Sequence, residues 1–174
     1  MKVSIIGAGN VGAQSAMRIL EHDLADVVLL DIQDDLARAK AFDLMDTGAI
    51  LGYKSRVKGT KDYGEIEDSE IVVITAGFAR RPGMSREELL GKNAKIIKEI
   101  VEKIKEYASQ AIIIVVTNPL DTLTYLTLRL SNFPPTRVMG MAGILDSARF
   151  SVQLAEILKK PPSEIKSIVL GSHS

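Results

Sequence analysis

Six side chains in this sequence are of types that handle carboxylates and protons: Arg80, Arg86, Asn118, Asp146, Arg149 and His173. Arginine suits a carboxylate because its planar guanidinium donates two parallel hydrogen bonds. Arg80 and Arg86 end the run Arg80-Arg81-Pro82-Gly83-Met84-Ser85-Arg86, where Pro-Gly supplies a turn. Two guanidiniums on one such loop would reach a common cleft, although solvated loop charge explains them equally. Asn118 would hydrogen-bond an oxygen of a bound molecule, but an Asn before a Pro is also an ordinary turn former. Asp146 and Arg149 stand three residues apart, on one face of a helix, where a local ion pair or a helix N-cap is the simpler role. His173 follows an apolar run and a Gly, where a loop imidazole could reach a cleft and exchange a proton, although a lone His is more often an ordinary surface residue, as His22 reads.

A second chemistry lies in Gly7-Ala8-Gly9-Asn10-Val11-Gly12, set between the strand-like Val3–Ile6 and a helical pattern, with Asp31 closing the next strand. The glycines alone are weak evidence, but strand, glycine turn, helix and a downstream acid together form a dinucleotide-binding fingerprint. Gly7 permits the turn, Gly9 lets backbone approach a pyrophosphate, and Gly12 lets helix and strand pack closely. The free N–H groups of the helix start face the anion. Asp31 would accept from the ribose hydroxyls and repel a 2′-phosphate, favouring NAD over NADP. A ligand-free tight turn is the alternative.

The elements that must position these groups are read from apolar period. Strands are expected at Val3–Ile6, Val27–Leu30, Val57–Thr60, Ile71–Ala76, Ile112–Val116, Arg137–Met141 and Ile165–Leu170. Helices are expected from Val11 to about Glu21, Asp34 to about Gly48, Ser85 to about Tyr107, Asp121 to Leu130 and Asp146 to Lys159. In the second, Leu36, Ala39, Phe42 and Leu44 mark the apolar face, and Asp34 or Asp35 would cap its start. In the third, Ser85 and Glu88 form a capping box. This alternation predicts an α/β fold, a doubly wound parallel sheet with helices on both faces, in which ligands bind at the carboxyl edge.

At 174 residues, 46% apolar and 25% charged, the chain can bury a core. Its 22 Lys and Arg match 22 Asp and Glu, which argues against a nucleic-acid partner. The lack of Cys excludes disulfides and Cys-built metal sites and fits a reducing compartment; no metal is expected. The longest apolar run, Ala111–Val116, has the length of a strand, so no membrane partner is expected. Met1 to Ile6 runs directly into strand-like sequence, and the expected location is the cytoplasm.

Taken together, the stretches resemble the lactate/malate dehydrogenase family across essentially the whole chain. The matches are GAGNVG at Gly7–Gly12, RRPGMSR at Arg80–Arg86, VTNPLD at Val116–Asp121, ILDSAR at Ile144–Arg149 and LGSHS at Leu170–Ser174. The resemblance implies that His173 is proton donor and acceptor, that Asp146 holds its imidazole, and that Arg149 binds the substrate carboxylate. It also implies that Arg86 polarises the reacting carbonyl, Asn118 contacts substrate and Arg80 selects the second substituent. Cofactor contacts are implied at Gly7, Gly9, Asn10, Val11, Gly12, Asp31, Asn93, Val116 and Asn118, with NAD as cofactor and a homodimer or homotetramer as the assembly.

Arg80 narrows the substrate to a small dicarboxylate. A cation there matches the distal carboxylate of malate or oxaloacetate and would be left unpaired by pyruvate; in the family's pattern Arg at this place goes with malate and Gln with lactate. The expected reaction is therefore interconversion of malate and oxaloacetate with NAD. The alternatives are a lactate or other 2-hydroxy acid dehydrogenase, and a non-catalytic NAD-binding module, which would need neither a carboxylate clamp nor a proton donor. Residues 1–143 are expected to form a Rossmann NAD-binding domain and residues 144–174 the beginning of an α+β substrate domain, because family members continue further. These residues alone are expected to bind NAD but to turn over malate poorly or not at all.

Overall fold

The apolar runs up to Gly140 pair into one sheet, in a computed structural model that describes residues 1–79 and 82–173. Its strands are β1 (Lys2–Ile6), β2 (Asp26–Leu30), β3 (Val57–Thr60), β4 (Ile71–Ile74), β5 (Ile112–Val115) and β6 (Val138–Gly140). Every pairing is parallel, in the order β3-β2-β1-β4-β5-β6. Parallel neighbours need crossovers, supplied by α1 (Asn10–Glu21), α2 (Asp34–Leu51), α3 (Arg86–Tyr107) and α4 (Leu120–Ser131), while α5 (Gly143–Leu158) follows β6. The order reverses between β1 and β4, and there a crevice opens at the carboxyl edge.

Both faces of the sheet are covered, which is why β4 and β5 are apolar throughout rather than alternating. On one face Ile6, Leu30 and Ile74 cluster with Ile97, Ile100 and Ile104 of α3 and Leu123 of α4. On the other, Ile5, Val27 and Leu29 cluster with Ala16 and Leu20 of α1 and Ala37 and Ala41 of α2. The buried stripe of α2 is Ala37, Ala41 and Leu44, and Phe42, expected on the apolar face, is 70% exposed. Small residues face the sheet because α2 lies very close to β3: a Cβ on Gly59 would stand 2.1 Å from the Ala37 carbonyl oxygen.

Local signals placed most boundaries, and tertiary partners moved the others. The capping box at Ser85 and Glu88 is formed. The expected caps Asp34 and Asp35 instead lie in the first turn of α2, behind Gln33. Asp34 is engaged elsewhere, accepting from the Lys61 N–H at 2.9 Å and pairing with Arg38. Helix α2 also runs past Gly48 to Leu51 and ends on Gly52 at φ +80°. β4 stops at Ile74 because the Thr75 and Ala76 N–H groups both turn onto the Ile6 carbonyl. α5 starts at Gly143 rather than Asp146, since the Ala142 carbonyl already accepts from Leu145. The expected strand Ile165–Leu170 does not form. Its Val169 N–H goes to the Ser147 hydroxyl on α5, and Ile168 and Leu170 stand 72% and 82% exposed. An apolar alternation becomes a strand only beside a ladder partner, and no described strand flanks it. Among the described residues no helix is long and apolar enough to cross a membrane.

Candidate active site

The carboxyl ends of β1, β4 and β5 frame a cavity of about 700 Å³, lined among others by Gly9, Val11, Gly77, Arg86, Asn118 and His173. Gly7 leaves β1 at φ +113°, where L side chains are strained, and a Cβ there would meet the Ala76 nitrogen at 2.6 Å. A Cβ on Gly12 would stand 1.8 Å from the Gly7 carbonyl oxygen, so α1 sits directly on the turn. Gly9, by contrast, has nothing within 4 Å of the place its Cβ would take. Its missing side chain leaves open space at the start of α1, whose first turn has neither a side-chain cap bond nor an acid. That open, uncapped helix start fits a pyrophosphate. Asn10, Val11 and Val116 also line the cavity.

Asp31 follows β2 with both carboxylate oxygens in use, accepting from the Ala8 N–H at 2.7 Å and the Gln33 N–H at 3.0 Å. Each oxygen has a second lone pair for a ribose hydroxyl. Nearby, burial pushes the Tyr63 phenol up to about 12, with the carboxylates of Glu99 and Asp31 adding to the effect.

Asn93 stands behind the cavity wall. It is 1% exposed, and its amide is committed to backbone: Oδ1 accepts from the Phe78 N–H at 2.7 Å, and Nδ2 donates to the carbonyls of Asn118 at 2.7 Å and Phe78 at 3.3 Å. It thereby joins the root of the arginine loop to the Asn118-Pro119 turn. Arg86, the first residue of α3, reaches the cavity just after the Ser85 cap. Arg80 lies outside the described residues.

His173, which also lines the cavity, has Nδ1 2.7 Å from Asp146 Oδ2, and its N–H donates to Asp121 Oδ2 at 2.9 Å. Asp146 comes from the first turn of α5 and Asp121 from the first turn of α4, positions where the helix dipole favours an anion. Arg149, one turn after Asp146, contacts its other oxygen at 3.3 Å and is 66% exposed. The local ion pair is therefore real, and it coexists with the Asp146–His173 contact. Reasoning from the sequence missed three residues here. Thr75 donates its hydroxyl to the Gly7 carbonyl at 3.0 Å, and buried Thr117 donates to the Ala76 carbonyl at 2.8 Å. The third is Asp121; only its place in the VTNPLD run marked it.

Known proteins similar to this chain give its family. Residues 1–140 match the family model described as lactate/malate dehydrogenase, NAD binding domain. The chain is 48% identical over 172 residues to malate dehydrogenase of Methanosarcina barkeri, covering 99% of this chain and 56% of that protein. To the malate dehydrogenase of Chlorobium luteolum it is 49% identical over 174 residues, with the same coverages. It thus spans a little over half the length of these relatives. Among solved structures, malate dehydrogenase from Salinibacter ruber superposes with a TM-score of 0.93 at 43% identity, covering 99% of this chain and 55% of that one. Lactate dehydrogenase from Cryptosporidium parvum, complexed with lactic acid and nicotinamide adenine dinucleotide, gives 0.94 at 38% identity, covering 99% and 54%. The chain belongs to the lactate/malate dehydrogenase family, matching its NAD binding domain over residues 1–140.

Proposed function

We propose that the protein containing these residues interconverts malate and oxaloacetate by hydride transfer to and from NAD. The observation that carries this reading is the His173–Asp146 contact, at 2.7 Å, on the rim of the cavity that the glycine turn and Asn118 also line. Nicotinamide, when bound, supplies the hydride chemistry, and the protein supplies orientation and charge. With Nδ1 held by the carboxylate, the imidazole meets the substrate through Nε2. It gives a proton to the carbonyl oxygen in reduction and takes one from the hydroxyl in oxidation. Arg86 stabilises the negative charge that develops on that oxygen. Arg149 takes the substrate carboxylate in a bidentate pair, exchanging for it a weak exposed contact with Asp146. Asn118 holds a further substrate oxygen, and Arg80 the distal carboxylate. The cofactor rests on Gly7, Gly9, Asn10, Val11, Gly12 and Val116, with Asp31 on the ribose; Asn93 serves it by fixing the cavity wall.

In this reading residues 1–143 are the cofactor domain and residues 144–174 begin the substrate domain. The exposed apolar side chains of Ile144, Ile157, Ile168 and Leu170 support that division. The assembly is a homodimer or homotetramer working in the cytoplasm, in keeping with a sequence free of Cys. The test is NADH oxidation by the full-length protein with oxaloacetate against pyruvate, repeated with NADPH. Oxaloacetate with NADH is expected to be fastest, and Arg80→Gln to lower oxaloacetate turnover and raise that of pyruvate. An unchanged preference in that variant removes the role given to Arg80. Preference of the parent for pyruvate moves the assignment to a lactate dehydrogenase, and NADH binding without turnover of either leaves a binding module.

A further inference from the structure

His173 lies in a segment that has no ladder partner among the described residues, and it is met by side chains on two different helices. Nδ1 meets Asp146 on α5, while the backbone N–H donates to Asp121 on α4, 52 residues away in sequence. The first contact fixes the ring's tautomer but leaves the ring free to swing with its backbone. The second fixes the backbone. Two anchors on separate rigid elements define the position of the imidazole, which neither does alone. Asp121 is also three residues after Asn118, whose carbonyl is tied in turn to Asn93. The short stretch 118–121 thus joins the Asn118 turn to the histidine, both of which line the cavity.

We infer that Asp121 is a positioning residue for proton transfer, setting the distance between His173 and a substrate held at Asn118. The inference rests on the reaction proposed above. Displacing a reacting group by about 1 Å costs on the order of a hundredfold in rate, and the loss should fall on the chemical step rather than on nucleotide binding.

The test uses full-length protein with Asp121→Ala and Asp121→Asn. Asp121→Ala is expected to lower kcat about tenfold to a hundredfold, to leave the NADH dissociation constant unchanged, and to increase the solvent deuterium isotope effect as proton transfer becomes limiting. Asp121→Asn keeps a carbonyl acceptor in the same place and is expected to recover most of the rate. In NMR spectra of protein labelled at histidine, the His173 amide proton should shift upfield in Asp121→Ala and much less in Asp121→Asn. A kcat for Asp121→Ala within about twofold of the parent overturns the inference, as does equal damage in both variants with NADH binding lost. If the parent turns over neither oxaloacetate nor pyruvate, the proposed reaction fails by itself. The amide shift then decides alone whether Asp121 holds His173, and an unmoved resonance overturns that too.

Discussion

Asn93 donates from Nδ2 to the carbonyl oxygen of Asn118 at 2.7 Å and thereby fastens helix α3 to the turn after β5. The same amide accepts the Phe78 N–H. Asn93→Ala removes three part-buried hydrogen bonds, to the Phe78 N–H and to the carbonyls of Asn118 and Phe78, each contributing about 0.5–1.5 kcal/mol net. The expected loss in urea unfolding is about 2–4 kcal/mol, with weaker NADH binding because the cavity wall loosens. A change below about 0.5 kcal/mol, the range of a neutral surface substitution, would mean that the bridge holds nothing together.

Two glycines of one turn should respond in opposite ways. Gly12→Ala puts a methyl 1.8 Å from the Gly7 carbonyl oxygen and is expected to cost at least about 2 kcal/mol or to prevent folding. Gly9→Ala meets no atom within 4 Å and has an ordinary φ of −65°. It should keep the parent's Tm and bind NADH about tenfold more weakly, since the methyl takes the space a pyrophosphate needs. Thermal melts alongside fluorescence titrations separate the two.

Asp146→Asn keeps the shape of the first turn of α5 but replaces a carboxylate by an amide against His173. The full-length variant is expected to lose about 10²–10⁴ in kcat with its NADH dissociation constant unmoved, measured by stopped-flow and equilibrium titration. Parent-like turnover would detach this pair from the reaction.

Tyr63 should make the fold sensitive to alkali. Its phenol is pushed up to about 12, first by burial and then by the carboxylates of Glu99 and Asp31. A group whose pKa is raised in the fold contributes stability that is complete below the unfolded value, near 10, and is lost as pH rises through the folded one. The urea midpoint is therefore expected to fall between about pH 10 and 12, and less so in Tyr63→Phe. Equal falls in parent and variant would assign the effect to other groups.

What the sequence made legible followed the range of the interaction. Ser85 and Glu88 cap within one turn, and the glycine turn and six of the seven expected strands follow from local pattern. Asp34 looked like a cap because Lys61, which draws its carboxylate away, is remote in sequence. Gly59 gave no sign of the Ala37 carbonyl behind it, and Asp121 none of the histidine it holds. Ile165–Leu170 has the alternation of a strand without a neighbour to complete it. Arg80, the residue proposed to set substrate choice, lies outside the described residues, so its part still comes from the sequence.

Asp31 ties the Ala8 and Gln33 N–H groups together, so the carboxylate proposed to select the ribose is also a brace between two neighbouring turns. Its orientation is set when the chain folds, and an arriving nucleotide has little left to order. Nucleotide preference and the integrity of that corner are consequently not independent traits. Replacing Asp31 with a smaller neutral side chain, the direct step towards tolerating a 2′-phosphate, also removes two charge-assisted hydrogen bonds. A change of cofactor in this scaffold would therefore require a second substitution that restores an acceptor for those amides, and the order in which the two arose would matter.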